Sequence, residues 1–172
     1  MFNFSMKRVL VVVPAVAMLT FAGVSAAQAA PLNVATAEAT CDTSLELLFS
    51  PALSTEPQSV AAAGTGVATC SGTVDGETID STVAATLAAD AVAQEATCFD
   101  SAGAGGFTLT VTTTSGGTAT ISGAVEFALL NGQVVLSGQM AGTGTIEAAD
   151  GDCVTTPISQ ASVRVPGAVF TV

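Results

Sequence analysis

Four cysteines and fourteen acidic residues are the side chains of this 172-residue chain best able to do chemistry, and the residue types that are missing limit what they can do. The chain has no His, Tyr or Trp, and its three basic residues are Lys7, Arg8 and Arg164. Without His, neither a Ser-His-Asp triad nor a Cys-His pair can be assembled, and a histidine-ligated catalytic zinc has no ligands. A glycosidase-like carboxylate pair is formally available, since it needs only two carboxyls at a set separation. The Trp and Tyr platforms that sugar sites lean on are absent. The expectation is a protein that is not an enzyme and carries no cofactor and no metal.

Cys41, Cys70, Cys98 and Cys153 include no C-x-x-C pair, so two disulfides are the natural reading, in an oxidising compartment. Asp75, Glu77 and Asp80, or Asp150 and Asp152, sit in turn-like runs and could offer oxygens to calcium, but neither run follows the EF-hand pattern. Solvated turn acids explain them more simply. Gly64-Thr65-Gly66, Gly103-Ala104-Gly105-Gly106 and Gly142-Thr143-Gly144 lack the helix and the lysine of a phosphate loop and read as turns or bulges. Thr108, Thr110, Thr112 and Thr114 make a threonine row of the kind found on ice-binding surfaces, although β propensity alone accounts for it.

The elements that would position these residues begin after an export signal. Lys7 and Arg8 precede an apolar stretch from Val9 to Val24, and Ala27-Gln28-Ala29 supplies the small residues a signal peptidase requires. Residues 1–29 are therefore expected to be a cleavable signal peptide, and 30–172 a single secreted β domain ordered from about Cys41. No second apolar run reaches membrane-spanning length, so no membrane span is expected in the mature chain. The expected location is extracellular, free or loosely associated with the cell envelope. Loss of Lys7 and Arg8 leaves Arg164 as the one basic residue against fourteen acids, a formal charge of −13. Nucleic acid and anionic lipid are poor partners for such a surface.

About 143 residues then remain, enough for one core. Cys41, Thr43, Leu45, Leu47 and Phe49 alternate with polar residues and predict a strand. Val60 to Val74 predicts a second, closed by Asp75-Gly76. Phe107, Leu109 and Val111 face one way and Thr108, Thr110 and Thr112 the other, up to Ser115-Gly116-Gly117. Thr118 to Leu130 follows, with Ile121, Val125 and Phe127 inward, then the hairpin signal Asn131-Gly132. Gln133 to Glu147 reads as one returning strand, and Ile158 to Val172 closes the domain. Residues 81–96 are ambiguous: alanine content favours a short helix, the all-β surroundings a strand. The fold class expected is all-β, a single antiparallel sandwich or partly closed barrel of about seven strands.

Through Ala68-Thr69-Cys70-Ser71-Gly72-Thr73-Val74, Ala96-Thr97-Cys98 and Gly151-Asp152-Cys153-Val154-Thr155-Thr156-Pro157, the chain resembles small secreted disulfide-containing β proteins of high-GC Gram-positive bacteria, a resemblance that implies no activity. In composition it is also similar to the neocarzinostatin-type apoproteins, which implies an immunoglobulin-like sandwich with two disulfides around a chromophore. Those proteins close short cysteine loops, and the wide cysteine spacing here carries over no chromophore-binding residue.

A three-strand meander over 106–147 puts Cys98 and Cys153 at opposite ends of the sheet, beyond the roughly 7 Å between Cα atoms that a bridge tolerates. The expected pairs are then Cys70 with Cys98, the shorter loop, and Cys41 with Cys153. Three functions fit what remains. The first is a non-enzymatic extracellular or envelope-associated β module that contacts an unknown protein or envelope component. The second is a carrier of a small apolar ligand, held between sheets or in a barrel mouth lined by Phe, Leu and Met140, for which a pocket above roughly 300 Å³ is expected. The third is a secreted protease inhibitor presenting Ser50 to Ser59.

Overall fold

The structure is a computed structural model that describes residues 36–172, and the expected signal segment lies outside them. The described residues form nine strands: β1 (Ala37–Leu53), β2 (Gln58–Val74), β3 (Glu77–Thr78), β4 (Ala85–Ala96), β5 (Asp100–Thr112), β6 (Thr118–Leu130), β7 (Gln133–Gly138), β8 (Met140–Ala148) and β9 (Ile158–Thr171). All pair antiparallel in the order β1-β9-β8-β7-β6-β5-β4-β2, and β1 also pairs with β2, so eight strands close into a barrel. The short β3 is an extra strand on β2. The sandwich, and with it the immunoglobulin-like architecture implied by composition, is replaced by full closure, which leaves no long sheet edge unpaired. β1 begins at Ala37, ahead of Cys41, and Ala37 exchanges backbone hydrogen bonds with Val172.

Two other expectations are corrected. Residues 81–96 hold no helix: Thr86 to Ala93 pairs on one side with β2 and on the other with β5, and two ladders outweigh alanine's helix propensity. Gln133 to Glu147 is not one strand but two. The chain reverses at Gly138 (φ 98°), and the Gln139 side chain accepts a hydrogen bond from the Ala124 amide at 2.8 Å. That hidden reversal brings β8 back toward the end of the barrel where β5 begins.

The disulfide pairs follow from it. Cys41 is bridged to Cys70 and Cys98 to Cys153, not Cys70 to Cys98 and Cys41 to Cys153. With four strands rather than three between them, Cys98 and Cys153 share one rim. Cys41 and Cys70 are direct partners across the β1–β2 hairpin, with Cα atoms 4.1 Å apart.

The alternation seen in the sequence sets inside and outside. On β1, Ala37, Ala39, Cys41 and Leu45 point inward, while Glu38, Thr40, Asp42 and Glu46 are exposed and Ser44 is half-buried. We call the rim formed by the end of β1 and the start of β2 the lower rim. The upper half of the barrel is solid, filled by Leu87, Leu109, Val111, Ile121, Val165 and the edge-to-face pair Phe107–Phe170, with ring centroids 5.2 Å apart. Ile79 plugs the upper rim: it bridges to Thr113, its amide donates to the Gly72 carbonyl, and it is 4% exposed.

Candidate apolar cavity and its rim

Inward-facing residues shrink toward the lower half. β2 offers Ala62, Gly64 and Gly66, β4 offers Ala89, Ala91 and Ala93, and β5 offers Gly103 and Gly105. The glycines are required by closure as well as by space. A Cβ on Gly64, Gly66, Gly103 or Gly105 would run into the carbonyl oxygen of Glu46, Ser44, Val92 or Asp90 on the neighbouring strand. Only Gly lets tightly coiled strands approach so closely.

Large side chains from the facing strands cover part of this space and leave the rest empty. A cavity of about 120 Å³ remains, walled by Leu45, Leu47, Phe49, Val125, Phe127, Leu129, Leu136, Met140 and Ile146, with the alanines of β4 opposite. Among the described residues, the polar members of the lining are Ser101, at the start of β5, and Asp90 of β4. No buried side-chain nitrogen or oxygen lacks a hydrogen-bond partner among the described residues, so nothing inside asks for a polar ligand. Near the lower rim, Leu53, Val60, Ala93 and Ala96 form a second packed cluster, against which Phe49, Cys98, Phe127 and Ile158 lie.

A second depression, about 530 Å³ and open to solvent, lies beside Arg164 with Gln133, Thr143 and Thr145. Although larger, it is a surface groove at the register break between β8 and β9. Its buried Thr43 hydroxyl is already donated to the Val165 carbonyl, and Asp42 accepts from the Gly167 amide. The apolar cavity inside the barrel is the better candidate.

The turn acids are not brought together for calcium. Asp75 accepts from the Thr36 amide, Glu77 from the Ser115 hydroxyl at 2.7 Å and Asp80 from Thr82. The Ser115 hydroxyl first, then Thr113, lowers the Glu77 pKa; the Thr82 hydroxyl and amide lower that of Asp80. Asp150 accepts from the Ser159 hydroxyl and the amides of Ser159 and Gln160, and the hydroxyl contributes most to its lowered pKa. Asp152 accepts from the Thr155 hydroxyl and from the amides of Val154, Thr155 and Thr156, which hold its pKa at about 2. Asp80, Asp150 and Asp152 are spent within their own loops, Asp75 and Glu77 on neighbouring segments, and no group of three metal-binding side chains occurs among the described residues.

The threonines of β5 face outward beside Thr86 of β4 and Thr118 and Thr120 of β6, and Ser122 donates to Thr108. The Ser50–Ser59 segment is mostly strand, leaving 54–57 as the turn between β1 and β2. The carrier expectation included an apolar pocket lined by Phe, Leu and Met140, but the sequence did not place it among the strands. The signal lay in the inward positions of β2, β4 and β5, where small residues stand at the spacing that elsewhere carries Leu, Val and Phe. No family model, curated protein or solved structure matches the chain.

Proposed function

We propose that the barrel is a non-enzymatic carrier that holds one small apolar molecule, or the apolar end of a larger one, outside the cytoplasm. The observation that carries this reading is the cavity in the lower half of a closed eight-stranded barrel, lined by apolar residues apart from Asp90 and Ser101. Barrels of this strand number are just wide enough to be filled by side chains or to hold one small ligand. Here the upper half takes the first course and the lower half leaves room for the second.

Size sets the ligand class. At about 120 Å³ the cavity falls below the roughly 300 Å³ of drug-sized sites, so a polycyclic chromophore or a whole lipid does not fit. It is comparable to the roughly 150 Å³ at which an apolar cavity stays dry and takes up benzene. A ring of that size or a short alkyl tail, with any polar group left near Ser101, fits the lining. Two disulfides are compatible with an oxidising compartment. Native mass spectrometry of protein taken from its own host tests the reading: a reproducible small added mass supports it, and repeated ligand-free spectra count against it.

A further inference from the structure

We infer that the Cys98–Cys153 bridge is a redox-released latch across the mouth of the cavity. The inference rests on the reading of that cavity as a ligand site. In the ring of strands, the β4–β5 turn (97–99) and the β8–β9 loop (149–157) are separated by four strands in either direction, so they stand on opposite sides of the lower rim. Eight strands about 4.8 Å apart, tilted by about 40°, make a mouth roughly 15 Å across. Yet the Cα atoms of Cys98 and Cys153 are 6.1 Å apart, so the chain must lean in over the mouth to meet, and the longer β8–β9 loop has the reach to do so. Cys98 packs on Leu53, Val60, Ala93 and Ala96, which are also the lower wall of the cavity.

The loop is built as a unit that can move as one. Asp152 gathers the amides of Val154, Thr155 and Thr156, and Asp150 ties the root of the loop to Ser159 and Gln160. Among the described residues, no hydrogen bond joins 149–157 to the 54–57 turn or to 97–99. The disulfide is its tie to the opposite rim.

The two bridges differ in access. Cys41 and Cys70 are 1% and 2% exposed within paired strands; in the other bridge Cys153 is also buried, at 7%, but Cys98 is partly exposed in a turn. An external dithiol therefore meets the Cys98 sulfur first. Its thiolate attacks one sulfur and displaces the other as a thiolate, and its second thiol resolves the mixed disulfide. Two electrons pass to the protein, the dithiol becomes a disulfide, and Cys98 and Cys153 end as protonated thiols. The released loop uncovers the cavity, so cargo held under oxidising conditions is given up where dithiols are supplied.

Benzene is the probe, and methyl NMR of the intact protein the readout. Three forms are compared: oxidised, treated with dithiothreitol until one bridge has opened, and Cys98→Ser/Cys153→Ser. Peptide mapping is expected to place the first opened bridge at Cys98–Cys153. Benzene dissociation, measured by exchange spectroscopy, is expected to be at least tenfold faster in the reduced and substituted forms than in the oxidised one. Binding with equal dissociation rates overturns the latch, as does prior opening of Cys41–Cys70. Absence of benzene binding in every form overturns the ligand reading itself, and the latch with it. Should the substituted form fail to fold, the partly reduced protein carries the comparison alone.

Discussion

Phe127 lies over Gly103, its cross-strand partner on β5, so closely that a Cβ built on the glycine would stand 2.8 Å from the ring's Cε1. The ring takes the place of the side chain the glycine lacks, while the bare Cα lets β5 approach the Val92 carbonyl. A methyl group there meets backbone and ring together. Gly103→Ala is therefore expected to destabilise the barrel by about 1–3 kcal/mol, as overpacking does. For a domain of this size that lowers the melting temperature by roughly 4 °C per kcal/mol. Thr108→Ala, on the outer face of the same strand, should stay within about 0.5 kcal/mol. Equal melting of the Gly103→Ala and native proteins would contradict the close approach.

The disulfide pattern can be read chemically. Acid-directed proteolysis separates all four cysteines, because Glu46 and Glu56 lie between the first two, Asp75 to Glu95 between the second and third, and Asp100 onward before the last. Non-reducing peptide maps should contain Cys41 joined to Cys70 and Cys98 joined to Cys153. A peptide joining Cys70 to Cys98 would show that the β7–β8 reversal is wrong. Removing the buried pair by Cys41→Ala/Cys70→Ala should cost about 2–5 kcal/mol in denaturant unfolding.

Asp152 makes the β8–β9 loop sensitive to strong acid only. Its pKa of about 2, set first by the Thr155 hydroxyl and then by loop amides, lies below the ordinary value of 3.8. A depressed folded-state pKa means the carboxylate contributes order that is fully present above about pH 4 and lost as the pH falls through about 2. The amide shifts of Val154 to Thr156 should therefore hold steady from neutral pH to about 4 and move with a midpoint near 2. A midpoint at 3.8 would mean that the carboxylate does not accept those bonds.

Much of the barrel is written locally. The alternation of Phe107, Leu109 and Val111 with threonines places β5, and Asp75-Gly76 and Asn131-Gly132 turn where positive φ is needed, at 50° and 80° and at 50° and 79°. The β7–β8 reversal is not written that way. No Asn-Gly or Asp-Gly marks it; Gly138 turns where Gln139 finds the Ala124 amide on another strand, a tertiary contact. One missed turn inverted the end at which Cys153 lies, and with it the disulfide pairing. The alanine-rich 85–96 segment was ambiguous because its local preference is helical, and β2 and β5 decide the matter from outside. The place of the cavity was hidden for a related reason: small residues on β2, β4 and β5 become one space only when the sheet closes.

The carrier reading is tested most directly by titrating benzene against the methyl NMR spectrum of the native protein and of Ala89→Leu, in which the new side chain grows into the cavity. Ala89 lines that space opposite Gly64 and Phe107, and it is only partly buried. The native protein should show saturable shifts confined to lining methyls such as those of Leu129, Leu136, Met140 and Ile146, and Ala89→Leu should lose them while keeping its fold. Shifts that are absent in the native protein, or scattered over the surface and unchanged by Ala89→Leu, would contradict the proposal that the lower half of the barrel is a ligand site.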